Sequence, residues 1–234
     1  MNRRPPTGTG TGKTSSGRSF GGRNRLKNRR GRSQSSVRWL ERQLNDPYVR
    51  EAQRDGWRAR AAYKLLELDG RFHFLDHASR IVDLGAAPGS WTQVVLKRRP
   101  QARVVGIDLL PVDPIAGFEF IQGDFLAEGM DELLMARLDG PADLVLSDMA
   151  ANTTGHHQTD FLRTMALVEA AADFAMQVLT PGGAFIAKVL GGGADDALLA
   201  ILKRNFSNVR HAKPPASRKE SSETYLVALG FKGR

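Results

Sequence analysis

The chain has 234 residues, a formal net charge of +9 and no cysteine. That length admits one α/β domain with a full core, and the missing thiols exclude disulfides, thiolate nucleophiles and thiolate metal ligands. No apolar run approaches the ~20 residues that span a bilayer and no signal-peptide core is present, so a soluble, cytoplasmic protein with no membrane partner is expected.

Residues 1–36 carry ten basic side chains and no acidic one, set among Gly, Ser, Thr, Pro and Asn. Such a segment buries too little apolar surface to offset the entropy of ordering, so a disordered basic tail is expected ahead of a folded domain over 37–234. The tail holds the whole excess of charge and leaves the folded part near neutral. Its charge suits a polyanion. A targeting peptide would need an amphipathic apolar face, and Phe20 and Leu26 are nearly the only large apolar side chains present.

From Ser36 onward helical and strand-like segments alternate, the pattern of a doubly wound sheet. Helices are expected over 37–44, from Asp46-Pro47 toward Arg54, and over 58–68. A strand over 80–84 runs into a glycine turn and a helix over 90–97, followed by strands over 103–108, 118–122 and 142–147. A long helix from about 159 to 179 is expected to stop at Thr180-Pro181-Gly182-Gly183, where proline and glycine break the pattern. A strand over 184–190, a helix over 195–205 and strands over 209–213 and 224–231 complete the reading. The fold class is therefore α/β and Rossmann-like: a mostly parallel seven-stranded sheet with helices on both faces.

The run Ile81-Val82-Asp83-Leu84-Gly85-Ala86-Ala87-Pro88-Gly89-Ser90-Trp91 is the strand–turn–helix that binds nucleotide-like ligands at the carboxyl edge of a parallel sheet. Gly85 and Gly89 permit the tight turn, and Ser90 is expected to cap the helix. Ala87 stands where the dinucleotide fingerprint places the glycine that admits a pyrophosphate, which favours a cofactor without one, such as S-adenosylmethionine. Acids sit in or just after four successive strands: Asp83, Asp108, Asp124 and Asp148. Asp108 is placed to accept from two ribose hydroxyls, and Asp124, beside Phe125, to take an adenine amino group. Gly89 and Trp91 would line the turn side. Any one of these acids is also an ordinary turn or cap residue, but capping does not require four of them to share an edge.

Lys188 lies inside the apolar strand Ala184-Phe185-Ile186-Ala187-Lys188-Val189-Leu190. A buried ammonium must be paired, deprotonated or at the strand's exposed end. Asp148 follows a neighbouring strand, Glu223 precedes the last one, and Lys64 flanks the stripe of Ala61, Leu65 and Leu68.

Tyr63-Lys64-Leu65, the glycine turn with Trp91, Asp108-Leu109-Leu110-Pro111, Gln122-Gly123-Asp124-Phe125, Ser147-Asp148-Met149-Ala150, Ala187-Lys188-Val189, Lys213-Pro214, Ser217-Arg218 and Glu223-Thr224-Tyr225 together resemble the RrmJ/FtsJ (RlmE) family of ribosomal RNA 2′-O-methyltransferases. The resemblance covers residues 37–231. It implies a Lys-Asp-Lys-Glu tetrad on Lys64, Asp148, Lys188 and Glu223, with Lys188 as proton acceptor. It implies cofactor contacts at Gly89, Trp91, Asp108, Asp124 and Asp148. A ribose hydroxyl is a poor acid, so a lysine must take its proton while neutral or stabilise the alkoxide while charged, and the sequence leaves both open. The chain departs from the family at Ser90, where a second glycine is usual, and at Ala151, where a proline is usual.

Arg50, Arg54, Arg58 and Arg60 before Lys64, and Lys213, Arg218 and Lys219 before Glu223, form two basic runs suited to a phosphate-tracking groove. The resemblance implies a uridine ribose of large-subunit ribosomal RNA as target, presented on the large ribosomal subunit, with the protein acting as a monomer. A transfer RNA or cap ribose is the competing substrate. A non-catalytic RNA chaperone acting through the tail is the competing class. His156 and His157 lack the spaced partners of a zinc site, so no metal is expected.

Overall fold

The computed structural model describes residue 31 and residues 33–151, 155–191 and 194–233. The expected basic tail over 1–36 thus lies outside the described residues except at 31 and 33–36. The chain divides into a unit ending at Asp46 and a larger one over Pro47–Arg234. The first contains helix α1 (Gln34–Asn45), which starts three residues before its expected position because Ser33 caps it, accepting from the Ser36 N–H at 3.2 Å.

The larger unit opens with α2 (Pro47–Asp55), whose first residue is a proline that needs no N–H partner there, and α3 (Ala61–Phe72). There follow β1 (Arg80–Leu84), α4 (Ser90–Arg98), β2 (Arg103–Asp108), β3 (Phe118–Gln122), α5 (Met130–Leu138) and β4 (Ala142–Ser147). The remainder is α6 (His157–Val178), β5 (Leu179–Val189), α7 (Asp196–Asn205), β6 (Phe206–Ala212) and β7 (Thr224–Phe231). No described helix is long and apolar enough to cross a membrane.

The seven strands form one sheet in the order β3-β2-β1-β4-β5-β7-β6, and only β7 runs against its neighbours. Both faces are covered, which is why the central strands are apolar almost throughout. Successive side chains alternate between two cores. Val82, Leu84, Val145 and Phe185 pack with Leu134, Val168, Phe174 and Leu202 from α5, α6 and α7. Ile81, Leu144, Leu146 and Ile186 pack with Leu65, Leu68, Trp91 and Val94 from α3 and α4. Each fully buried side chain of this kind contributes about 1.5–3 kcal/mol before entropy is charged against it.

Helix α5 was not expected. It carries only Leu134 and Leu138 as buried residues, spaced one turn apart, and its terminus is marked by Gly129 in the left-handed region and by Asp131 and Glu132 in the first turn. The Thr180-Pro181-Gly182-Gly183 segment ends the long helix as expected, but the chain passes directly from Val178 into β5. The proline and glycines are absorbed where the β4–β5 register shifts between Ala142 and Leu144. β6 starts early because Phe206 pairs with Phe231, ring centroids 5.3 Å apart.

Gly106 shows how tightly the sheet edge is packed: a Cβ there would lie 2.7 Å from the Phe118 ring and 2.9 Å from the Asp83 carbonyl oxygen. Gly106→Ala should therefore cost about 1–3 kcal/mol of stability by overpacking, read as a lower midpoint in thermal or urea unfolding.

Candidate active site

Parallel pairing brings the carboxyl ends of β1, β4 and β5 to one edge, where Leu84 lies opposite Ser147 and Ser147 opposite Ala187. Asp148 is fixed just beyond β4 by its N–H, which donates to the Leu84 carbonyl at 3.0 Å. In the antiparallel β5–β7 pair Lys188 lies opposite Tyr225. That register places the ends of β4, β5 and β7 around one small volume.

The four tetrad residues named from the sequence meet there as two ion pairs. Lys188 Nζ lies 3.1 Å from Asp148 Oδ1 and donates to the Asp148 carbonyl at 2.6 Å. Lys64 Nζ, from α3, lies 2.7 Å from Glu223 Oε1. Their side chains are only 11–19% exposed, so each charge depends on its partner. Burial pushes the Asp148 carboxyl up, but Lys188 and Lys64 outweigh it and hold the group below its ordinary range.

Tyr225 joins the two pairs. Its fully buried hydroxyl lies 3.0 Å from Asp148 Oδ1 and 3.3 Å from Glu223 Oε1. Burial, and then the two carboxylates, push its pKa well above the usual tyrosine value, so the hydroxyl keeps its proton and remains a donor. Ser217 Oγ adds a bond to Glu223 Oε1 at 2.9 Å. Sequence reasoning gave Tyr225 and Ser217 no role, because their contacts arise from strand register and loop closure. The only sequence sign was their place in the run that ends on Glu223 and Tyr225.

On the cofactor side the glycine turn is pinned to β2. Gly85, at φ 77°, donates to the Ile107 carbonyl at 2.9 Å, and Ala87 N–H donates to Asp108 Oδ2 at 2.9 Å. Asp108 Oδ1 accepts from Leu110 N–H at 2.9 Å, and Asp124 Oδ1 from Leu126 N–H at 3.0 Å. Each carboxylate keeps acceptor capacity beyond these bonds. Leu109, Leu110 and Leu126, which follow the two acids, are 61%, 64% and 56% exposed. Carboxylates beside an uncovered apolar rim are the chemistry that a ribose and an adenine need, so the residues present fit a nucleoside cofactor.

Three readings change in detail. Ser90 does not cap α4; Gly89, at φ 96°, occupies that position, and Ser90 Oγ is buried with no protein partner. Trp91 is 3% exposed, donates from Nε1 to the Ala61 carbonyl at 2.9 Å and lies 5.7 Å from the Tyr225 ring, so it backs the turn from within the core and ties it to the start of α3. Asp83 is buried beneath the turn, accepting from Thr92 Oγ1 at 2.7 Å through Oδ2 while Oδ1 has no protein partner. Burial pushes its carboxyl up to about 7; Thr92 opposes the shift, and Asp148 and Asp108 add to it.

Much of the expected phosphate track is already engaged. Arg58 donates to three backbone carbonyls, Arg60 to the Ala216 carbonyl, Lys213 to the Lys219 and Ser221 carbonyls, and Arg54 pairs with Asp55. Among the described residues no group of three or more His, Cys, Asp or Glu could hold a metal ion.

A seven-stranded, mostly parallel sheet with one inserted antiparallel strand, a glycine turn without room-making for a pyrophosphate and acids along one edge define a Rossmann-like, S-adenosylmethionine-dependent methyltransferase. Residues 57–231 match the model of the FtsJ-like methyltransferase family. The chain is 64% identical over 214 residues to the ribosomal RNA large subunit methyltransferase E of Rhizorhabdus wittichii, covering 92% of this chain and 93% of that one. It is 65% identical over 210 residues to the protein of the same name from Erythrobacter litoralis, covering 90% and 96%. Among solved structures, a ribosomal RNA methyltransferase from Plasmodium falciparum superposes with a TM-score of 0.67 at 36% identity, over 76% of this chain and 100% of that one. The N-methyltransferase NodS of Bradyrhizobium japonicum, 16% identical at a TM-score of 0.50 over 80% and 98%, shares the fold alone. The chain belongs to the FtsJ-like methyltransferase family.

Asp83 supplies a pH test. Its folded-state carboxyl holds its proton more tightly than the unfolded one, so its stabilising contribution is complete below the ordinary carboxylate range and is lost as pH rises to about 7. Across that window the stability of the wild type relative to Asp83→Asn should fall by roughly 4 kcal/mol, measured by urea unfolding of the cofactor-free protein.

Proposed function

We propose that the chain methylates the 2′-hydroxyl of a uridine ribose in large-subunit ribosomal RNA, presented on the large ribosomal subunit, and that it does so as a monomer. The observation that carries this reading is the paired cluster of Lys64, Asp148, Lys188 and Glu223 at the sheet edge beside the glycine turn. The names of the relatives support the ribosomal substrate.

Gly89, Asp108, Asp124 and Asp148 would hold the cofactor, with Trp91 behind the turn. S-adenosylmethionine would supply an electrophilic methyl group on a sulfonium, with the neutral thioether as leaving group. The protein's task is to place the ribose oxygen and to manage its proton. Lys188, once its ammonium has given up a proton to solvent, takes the hydroxyl proton as the carbon–oxygen bond forms, and Asp148, already in contact with Nζ, stabilises the ammonium that is restored. Lys64 and Glu223 hold the far side of the cluster through Tyr225, and Lys64 helps to keep Asp148 ionised.

Lys188→Ala should reduce methyl incorporation into undermethylated large subunits roughly 10²–10⁴-fold, with cofactor affinity nearly unchanged. Persistent methylation, or preference for transfer RNA over large subunits, would overturn the assignment. Rescue of ribosome assembly by the same inactive variant would favour the chaperone reading.

The basic segment is proposed to add sequence-independent RNA affinity. Removing residues 1–32, which leaves Ser33 to cap α1, should weaken RNA binding and flatten its salt dependence without changing cofactor affinity.

A further inference from the structure

The Arg58 guanidinium looks from its sequence position like part of an RNA-binding run, but three of its five donors are engaged elsewhere. Nη1 donates to the Pro88 carbonyl at 2.9 Å and to the Asp113 carbonyl at 2.8 Å, and Nη2 donates to the Pro114 carbonyl at 3.0 Å. The Arg58 backbone N–H donates to Gln93 Oε1 at 2.8 Å, which fixes the residue against α4. We propose that Arg58 is a positioning residue for the cofactor turn: it straps the segment after β2 onto the turn after β1 and so sets cofactor affinity. The inference rests on the methyltransferase reading of the turn.

Two observations carry it beyond a list of hydrogen bonds. The first is the chemistry of the strapped segment. Residues 109–117 form no helix or strand, and Pro111 and Pro114 contribute carbonyls but no N–H. Such a segment presents more acceptors than donors, and a guanidinium, with five donors in a rigid fork and no acceptor, is the side chain that can gather several of them at once.

The second is the fit at Gly89. A Cβ built on it would lie 2.7 Å from Ile115 Cδ1, 3.0 Å from Arg58 Nη1 and 3.2 Å from Val112 Cγ1. The glycine turn is thus closed from outside by the guanidinium and by the two side chains whose loop it holds. Asp108 lies between the two segments, bonded to Ala87 on the turn and to Leu110 on the strap. Releasing the strap would loosen the carboxylate assigned to the ribose and the rim leucine next to it. A phosphate contact would need the fork turned outward, at the cost of three charge-assisted bonds.

Arg58→Lys separates the two roles, since it keeps the charge but cannot reach three carbonyls in a fork. Calorimetric titration of the full-length protein with S-adenosylhomocysteine should show binding weakened about tenfold in Arg58→Lys, and at least as much in Arg58→Ala. The KM for the methyl donor should rise in parallel, while kcat at saturating donor, RNA affinity and the salt slope of RNA binding stay near wild type. Wild-type cofactor affinity in Arg58→Lys would overturn the proposal. So would Arg58→Ala losing RNA affinity and about one phosphate's worth of salt slope with cofactor binding intact. Circular dichroism melts check that each variant is folded, and Arg58→Lys carries the test if the alanine variant is not. Because the titration uses no RNA, an error in the RNA assignment would leave its outcome readable.

Discussion

Two ammonium groups and two carboxylates share one poorly hydrated corner of the sheet, and none of the four is stable there alone. Removing a charge from water costs far more than any single contact returns, so each must find an opposite partner within about 3 Å, and each does. The rest of the site depends on that pairing. A lysine released from Asp148 would lose the ion pair that holds it inside an apolar strand. An Asp148 without Lys188 and Lys64 would be pushed up by burial instead of held down. A buried ionic cluster adds little to stability when compared with a well-packed apolar core. Its presence at the carboxyl edge of the sheet therefore indicates chemistry more than scaffolding.

The cluster is tied to the cofactor turn by aromatic packing rather than by charge. Trp91 follows the turn, holds the start of α3 through the Ala61 carbonyl and lies against the Tyr225 ring. Lys64 leaves α3 three residues after Ala61, and Tyr225 donates to the carboxylates of both pairs. The turn, the helix that carries Lys64 and the strand beside Lys188 thus meet at two rings. A change in the position of the turn would be felt at the cluster through these two rings.

Most of the fold was legible because apolar runs of strand length alternate with helical segments, and Arg80–Leu84 and Thr224–Phe231 have the expected bounds. What was missed has local causes. α5 buries two side chains, too few to raise a periodic signal. The Pro-Gly-Gly segment broke the helix as read, but the chain uses it inside a strand irregularity rather than a loop. The glycine turn and the acids along one edge could be read from spacing, and the four charged residues from their resemblance to a family. Tyr225 could not, because its role comes from lying opposite Lys188 across two strands 37 positions apart in sequence. Arg58, Arg60 and Lys213 read as a phosphate groove because a run of cations looks the same whether its donors meet phosphates or carbonyls.

The antiparallel β7 is the last strand in sequence, yet it is inserted between β5 and β6. Glu223 and Tyr225 come with it, after the five parallel strands and the glycine turn in the sequence. The strands that carry the glycine turn, Asp148 and Lys188 thus all precede, along the chain, the carboxylate that pairs with Lys64. The site is closed from the far end of the sequence, by the antiparallel pair of β6 and β7 lying against β5.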